Sequence, residues 1–277
     1  MIKILTWNVN SIRARIGHLI NVIESASPDI ILLQELKCVE EQFPFSELEY
    51  FNYNTKVLGQ KARNGVALMS KFPLYDVECK LPFYDIVEVD NDSRYIEARI
   101  DYHKKTFKIA SIYVPNGGPS TIDTKNNVMD ITSTENFLNK MKFFDRMKKK
   151  FAKDIEDNET AFFCADYNVC PNLSIDVYSP LKDGSITNTQ KERNKFRELL
   201  DIGLEDIWRK LNPETKEYTW WGYRPFTMFE KNQGYRLDAI LTTPKASPLV
   251  KSCSTMKHVR AWDKPSDHVP VVCEINI

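Results

Sequence analysis

Six apolar runs, each with an acid, an amide or a histidine at or beside one end, constrain this chain more than any other feature. They span residues 4–8, 29–35, 109–116, 161–168, 235–241 and 266–272. Apolar runs of this length read as strands buried in a sheet. An ionised side chain inside such a core is costly unless it is paired or bound to metal. Strands that carry Asn, Glu, Tyr, Asp and His to one sheet edge therefore imply a metal-assisted site.

The connecting segments set the fold class. Ile12, Ile16, Leu19, Ile20 and Ile23 form a helical stripe over Ile12 to Ser25, which Pro28 stops. Residues 52–70 read as two short strands, and 94–101 with 105–114 as a hairpin. Helices are predicted over 135–153 and 191–203, the second stopped at Gly203. Residues 117–134 are polar and read as a loop long enough to move; residues 222–234 form a loop rich in aromatics and glycine. The last strand is placed at 269–277. Helices and strands mix without strict alternation, which favours an α+β or mixed-sheet sandwich over a regular parallel barrel. No repeat or Gly/Ser linker divides the 277 residues, so a single domain over 1–277 is expected.

Composition narrows the function classes. Acidic and basic residues balance at 38 each, which excludes coating nucleic acid by bulk charge but leaves room for a local basic rim. Lys140, Lys142, Arg146, Lys148, Lys149, Lys150 and Lys153 lie on one predicted helix and read as a solvated face. The six cysteines include no CxxC pair, which favours buried reduced thiols of an intracellular protein over a zinc or disulfide framework. A first strand entered at Ile2, with no targeting segment and no long apolar span, gives a cytosolic location as the expectation.

The candidate site residues are read one by one. Asn8 and Glu35 end their strands, where each is either a solvated terminus or faces a cavity. Asp166 and Asn168 alternate, so both side chains are expected on one face of a strand. Asp238 is flanked by apolar residues and needs a partner. His268 is the candidate, because a carboxylate orients an imidazole and stabilises its charged form; backbone amides are the alternative. Asp267-His268 precedes an apolar strand, and Lys264-Pro265-Ser266 holds its start. No Gly-rich phosphate loop, HExxH or Gly-x-Ser-x-Gly elbow occurs. Carboxylate and amide oxygens favour Mg²⁺ or Mn²⁺ over zinc. A hard cation with an Asp base and a His suits hydrolysis of a phosphodiester.

Together these residues resemble the exonuclease III family of apurinic/apyrimidinic (AP) endonucleases, within the endonuclease/exonuclease/phosphatase superfamily that includes DNase I. The similarity is carried by Trp7-Asn8-Val9-Asn10-Ser11-Ile12-Arg13-Ala14, Leu33-Gln34-Glu35-Leu36-Lys37, Arg236-Leu237-Asp238 and Lys264-Pro265-Ser266-Asp267-His268-Val269-Pro270-Val271. It implies a four-layer α/β sandwich with two packed mixed sheets. By that resemblance Glu35 binds Mg²⁺ with Asn8 and Asp267 close by. Asp166 positions or activates water and shares a second metal position with Asn168. Asp238 orients His268, which contacts the phosphate with Tyr113 and Asn116. Trp220, Tyr235 and Leu237 fall where the family walls its lesion pocket, although ordinary core packing also accounts for Trp220-Trp221. Arg13 and Arg224 fall among the DNA-contacting positions. The implied activity is Mg²⁺-dependent cleavage 5′ to abasic sites in duplex DNA with 3′→5′ exonuclease and 3′-end trimming, by a monomer in the bacterial cytoplasm using one or two ions. Three positions depart from the family pattern: Ala165 and Ser11 stand where glycine is usual, and Leu36 where threonine is common. A lipid or inositol phosphodiesterase and a catalytically silent binding module are the competing readings.

Overall fold

The computed structural model describes residues 1–82, 92–118 and 131–277. Of the loop expected over 117–134, residues 119–130 lie outside that description. In chain order the strands are β1 (Ile2–Asn8), β2 (Ile30–Gln34), β3 (Asn54–Leu58), β4 (Val66–Ser70), β5 (Tyr75–Cys79), β6 (Tyr95–Tyr102), β7 (Lys105–Tyr113), β8 (Ala161–Asp166), β9 (Glu205–Asp206), β10 (Asp238–Thr242), β11 (Val250–Thr255) and β12 (Val271–Ile275). The helices are α1 (Ile12–Ala26), α2 (Phe45–Leu48), α3 (Glu135–Glu156), α4 (Gln190–Asp201) and α5 (Ile207–Leu211).

Two six-stranded sheets result, ordered β11-β12-β1-β2-β4-β3 and β5-β6-β7-β8-β10-β9. Both are mixed: β1 runs parallel to β2, and β7 parallel to β8, while the remaining pairs are antiparallel. The sheets pack face to face through Ile2, Ile4, Ile30, Leu32, Val66 and Leu68 on one side. Ile96, Ile100, Phe107, Ile109, Phe162, Cys164 and Ile240 meet them from the other. Alternate residues leave the opposite faces of a strand. Leu5, Trp7, Ile31, Leu33, Ala67 and Met69 therefore face outward onto Ile12, Leu19, Val22 and Ile23 of α1. Ala110, Ile112, Phe163 and Ala165 likewise face outward onto Phe143, Phe144, Met147 and Phe151 of α3 and Phe196 and Leu199 of α4. The order helix, sheet, sheet, helix is the four-layer sandwich that was expected.

The same alternation places the functional end of the molecule. Inner positions run Ile2, Ile4, Thr6, Asn8 in β1 and Ile30, Leu32, Gln34 in β2. They continue as Phe107, Ile109, Ser111, Tyr113 in β7 and Phe162, Cys164, Asp166 in β8. In each, apolar residues give way to polar ones toward the C-terminal end. Asp166 pairs in register with Tyr113 on β7 and with Asp238 on β10. The polar stretch opens with a bridge between the sheets: Gln34 Nε2 donates to Thr6 Oγ1 at 3.0 Å and to Ser111 Oγ at 3.0 Å.

Three sequence-based expectations are corrected. First, β8 ends at Asp166, and Asn168 sits beyond it at φ 51. The two side chains therefore do not alternate along a strand; a turn brings them together. Second, Asp238 begins β10 rather than lying inside a strand that starts at Tyr235. Third, the basic face of α3 is only partly solvated. Lys140 is fully buried against Glu192, and Lys150 is buried between Glu97 and Asp154. Helical spacing turns these two lysines toward the sheet, where acids pair them. Strands β5 and β11 escaped detection because edge strands exposed to solvent lack an apolar alternation.

The cross-sheet bridge has a measurable cost of removal. Gln34→Leu leaves two buried hydroxyls without their donor, and should lower unfolding free energy by about 1–3 kcal/mol in urea with an unchanged m-value.

Candidate active site

Six segments meet at the polar end of the sandwich. Asn8, at the end of β1, is fully buried and donates from Nδ2 to Asp166 Oδ2 at 2.9 Å. Asp166 Oδ1 accepts the backbone N–H of Asn168 at 2.9 Å. Asn168 Nδ2 donates to Val114 O at 2.9 Å and lies 3.3 Å from Asp166 Oδ2, and its own Oδ1 accepts from Asn116 Nδ2 at 3.0 Å. Asp238 Oδ2 lies 2.8 Å from His268 Nδ1, and His268 Nε2 faces Asp166 Oδ2 at 3.7 Å. The imidazole thus stands between two carboxylates.

The loop that carries His268 is tied to β1. Ser266 Oγ donates to Asn8 O at 2.7 Å and Trp7 Nε1 to His268 O at 3.0 Å. Thr219 Oγ1 accepts the N–H groups of Leu237 and Asp238, both at 3.0 Å, which fixes the start of β10. Asp267 points to the mouth, where its Oδ1 accepts from Asn10 Nδ2 at 2.8 Å and its Oδ2 from Trp220 Nε1 at 2.9 Å. Glu35 turns back after β2 at φ 57 and pairs with Lys37 Nζ at 2.8 Å.

Burial decides the protonation of this cluster. It acts first on Asp166 and, although His268 opposes it, Asp166 is pushed up to about 7, with Asp238 adding to the rise. Burial alone would strip the proton from His268. Asp238, then Asp166, outweigh it and hold the imidazolium to about 10. Burial also lifts the Tyr113 phenol well above its usual range, and the carboxylates of Glu35, Asp166 and Asp267 reinforce the shift. Three acids therefore act on one phenol, against the Arg94 guanidinium 4.9 Å over its ring.

The acidic cluster suits a cation, and the donor chemistry selects where. Asp166, Asp238 and His268 place one ligand atom each within 4.8 Å of one another. His268 is nevertheless bonded to Asp238 and held protonated, and a protonated imidazole does not ligate a metal. The oxygens of Glu35, Asn8 and Asp267 are hard donors of the kind that suit a divalent cation. Excess negative charge around Tyr113 gives the ion its attraction.

An apolar cluster adjoins the acids. Trp220 stacks on Tyr235 with ring centroids 5.1 Å apart and planes 8° from parallel. Leu237, Val177 and Cys170 are buried beneath them. Trp221, fully buried, is core; the tandem tryptophans thus divide between wall and core. Arg224 is exposed on the neighbouring loop. Arg13 is exposed on α1 without a hydrogen bond or ion pair among the described residues. Arg15 reaches the site instead, donating to Asn10 O at 2.8 Å and Pro265 O at 3.1 Å.

Sequence reasoning gave no role to Asn10, Arg15, Lys37, Arg94 or Tyr223. Asn10 links Asp267 to Lys37, whose Nζ donates to Asn10 Oδ1 at 2.6 Å. The Asn-x-Asn spacing at the end of the first apolar run was the one available signal. Left-handed backbone collects here, at Asn10, Ser11, Glu35, Lys37 and Asn168. Ser11 explains the glycine usual at its position, since its φ of 85 is one that side chains disfavour. Ala165, the second position where glycine is usual, stays in regular register with Ile112 and Ala239.

Two stability measurements check this description. Ser11→Gly should raise unfolding free energy by about 1 kcal/mol through relief of backbone strain. For Asp166 the sign follows from its raised value. The folded protein keeps this proton from 3.8 up to about 7 while the unfolded chain loses it. The group's contribution is therefore full in acid and is lost as pH rises through about 7. In cation-free buffer the Tm of Asp166→Asn should climb relative to wild type between about pH 4 and about pH 7. A constant or shrinking difference would refute the buried-charge account.

Comparison with known proteins identifies the family and the fold. The model of the Endonuclease/Exonuclease/phosphatase family matches residues 5–268. Exodeoxyribonuclease III of Haemophilus influenzae is 30% identical over 279 aligned positions, covering 98% of this chain and 99% of that protein. Among solved structures, the 3′ phosphatase NExo from Neisseria, bound to a product DNA hairpin, superposes with a TM-score of 0.89 at 30% identity over 100% of both chains. An AP endonuclease from Archaeoglobus fulgidus superposes with a TM-score of 0.86 at 31% identity, again over 100% of both chains. The chain belongs to the Endonuclease/Exonuclease/phosphatase family, as a hydrolase of the exodeoxyribonuclease III type.

Proposed function

We propose that this protein is a DNA-repair phosphodiesterase that cuts duplex DNA 5′ to abasic sites and trims damaged 3′ ends. The observation that carries the reading is the line Asp238, His268, Asp166, beside which stand the acidic mouth and the Trp220–Tyr235 stack bonded to it. The chain acts as one unit over 1–277, since the site draws on residues from Asn8 to His268. It works as a monomer in the bacterial cytoplasm, where its substrate lies. Among the described residues no helix is long and apolar enough to cross a membrane.

Each side chain then has a task. His268, kept cationic by Asp238, donates from Nε2 to a phosphate oxygen and stabilises the charge that grows there. Asp166, oriented by Asn8 and the Asn168 backbone, accepts a proton from the attacking water, a task suited to a carboxyl near neutral pH. Asn116, Asn168 and the Tyr113 hydroxyl surround the remaining phosphate oxygens. Glu35, with Asn8 and Asp267, would hold Mg²⁺ or Mn²⁺, which supplies positive charge to the phosphate and the departing oxygen. Trp220, Tyr235 and Leu237 accept a sugar that has no base. Flipping such a nucleotide costs little stacking, and a shallow apolar wall leaves no room for an intact base. Arg13 and Arg224, both exposed, contact the DNA, Arg224 at the position from which a family side chain can enter the duplex.

The experiment is a parallel assay on abasic, 3′-phosphate and blunt duplexes. All hydrolysis should stop with EDTA and return with Mg²⁺. Glu35→Gln and His268→Asn should each lower kcat on the order of a hundredfold or more. Trp220→Ala should lower kcat/KM for the abasic duplex about tenfold and spare the 3′-phosphate substrate, whose end needs no flipping. Binding without metal-dependent nicking, or turnover of a phosphoinositide in place of DNA, would overturn the reading.

A further inference from the structure

We propose that Lys140 is a positioning residue that holds the loops bearing Asn116 and Asn168 in register beneath Asp166. The inference rests on the phosphodiesterase reading above and concerns a group that touches no substrate. Lys140 lies in α3 and its side chain is fully buried. An ammonium has three donors, and here each has a separate acceptor. Nζ donates to Asn116 O at 3.0 Å, in the loop after β7, and to Asn168 O at 2.7 Å, in the turn after β8. The third acceptor is Glu192 Oε1, in the first turn of α4. The same carboxylate accepts the N–H of Thr187 at 3.1 Å and closes the capping box with Thr189. One ammonium therefore joins three segments.

The connection to the chemistry is short. Asn168 O takes the Lys140 bond, while the N–H and side chain of the same residue contact Asp166. Asn116 O takes another, while Asn116 Nδ2 holds Asn168 Oδ1. The fit is close: a Cβ on Gly117, at φ +84, would stand 2.7 Å from Lys140 Cδ. A buried ion pair adds little stability over well-packed apolar groups. What distinguishes it from a methionine of similar shape is direction, because its donors need acceptors in fixed places. Asn168 occupies a left-handed turn that a strand ladder does not hold, and the Lys140 bond to its carbonyl adds a tie from another element to the bonds of its N–H and side chain.

The test pairs kinetics with asparagine side-chain amide NMR on ¹⁵N-asparagine-labelled protein. Lys140→Met, measured where circular dichroism shows the native fold, should lose on the order of tenfold to a hundredfold in kcat with KM for an abasic duplex within about threefold. The Asn116 and Asn168 amide signals should move while that of Asn54, on β3, stays. Glu192→Gln keeps both carbonyl bonds and should shift both readouts the same way by less. The proposal is overturned if native Lys140→Met keeps kcat within about twofold, or if the two amide signals stay in place whatever kcat does. Should Lys140→Met fail to fold, Glu192→Gln decides by the same criteria. The amide signals are read without substrate, so they stand or fall separately from the phosphodiesterase reading.

Discussion

The cost of burying carboxylates at the rim of an apolar layer organises this molecule. The inner faces of the two sheets exclude water along most of their length, and the strands then deliver Asp166 and Asp238 into that same layer. A charge there is tolerated only with compensating partners. His268 compensates two acids at once, and the amides of Asn8 and Asn168 take up the rest. Much of the surrounding structure serves to keep those partners in place.

Backbone strain and side-chain ties divide that labour. Regular strands bring Asn8, Tyr113 and Asp166 to the rim, but Glu35, Asn10 and Asn168 lie just past the ladders in left-handed turns. Such turns are held by contacts from elsewhere: Lys37 on Glu35 and Asn10, Arg15 on the Asn10 carbonyl, Lys140 on the Asn168 carbonyl. A family pattern that prefers glycine at position 11 has the same origin. Strain at the site is thus offset by cations drawn from α1, the segment after β2, and α3.

The basic helix α3 shows why charge runs mislead. Lys148 and Lys153 do face solvent in part and pair with Glu198 and Asp157. Lys140 and Lys150 share the run but turn inward, because the helical repeat carries those positions to the sheet side. In sequence all of them look alike. Only the acids that meet them separate surface from interior: Glu192 and Glu97 lie on other elements, and Asp154 one turn further along α3 itself.

The sequence determined the elements built on apolar patterning. The strands β1, β2, β7, β8 and β12, the helix α1 and the polar residues at the strand ends were all legible, because burial imposes periodicity on the chain itself. The pairing of Asp238 with His268 was also readable, since an isolated acid between apolar residues demands a partner. Tertiary structure alone decided the rest. It placed Asn168 in a turn rather than on a strand and split Trp220 from Trp221. It drew Asn10, Arg15, Lys37 and Arg94 to the mouth, and buried Lys140. Each of these depends on which groups meet across distant segments, and local patterning carries no record of a contact whose partner lies far along the chain.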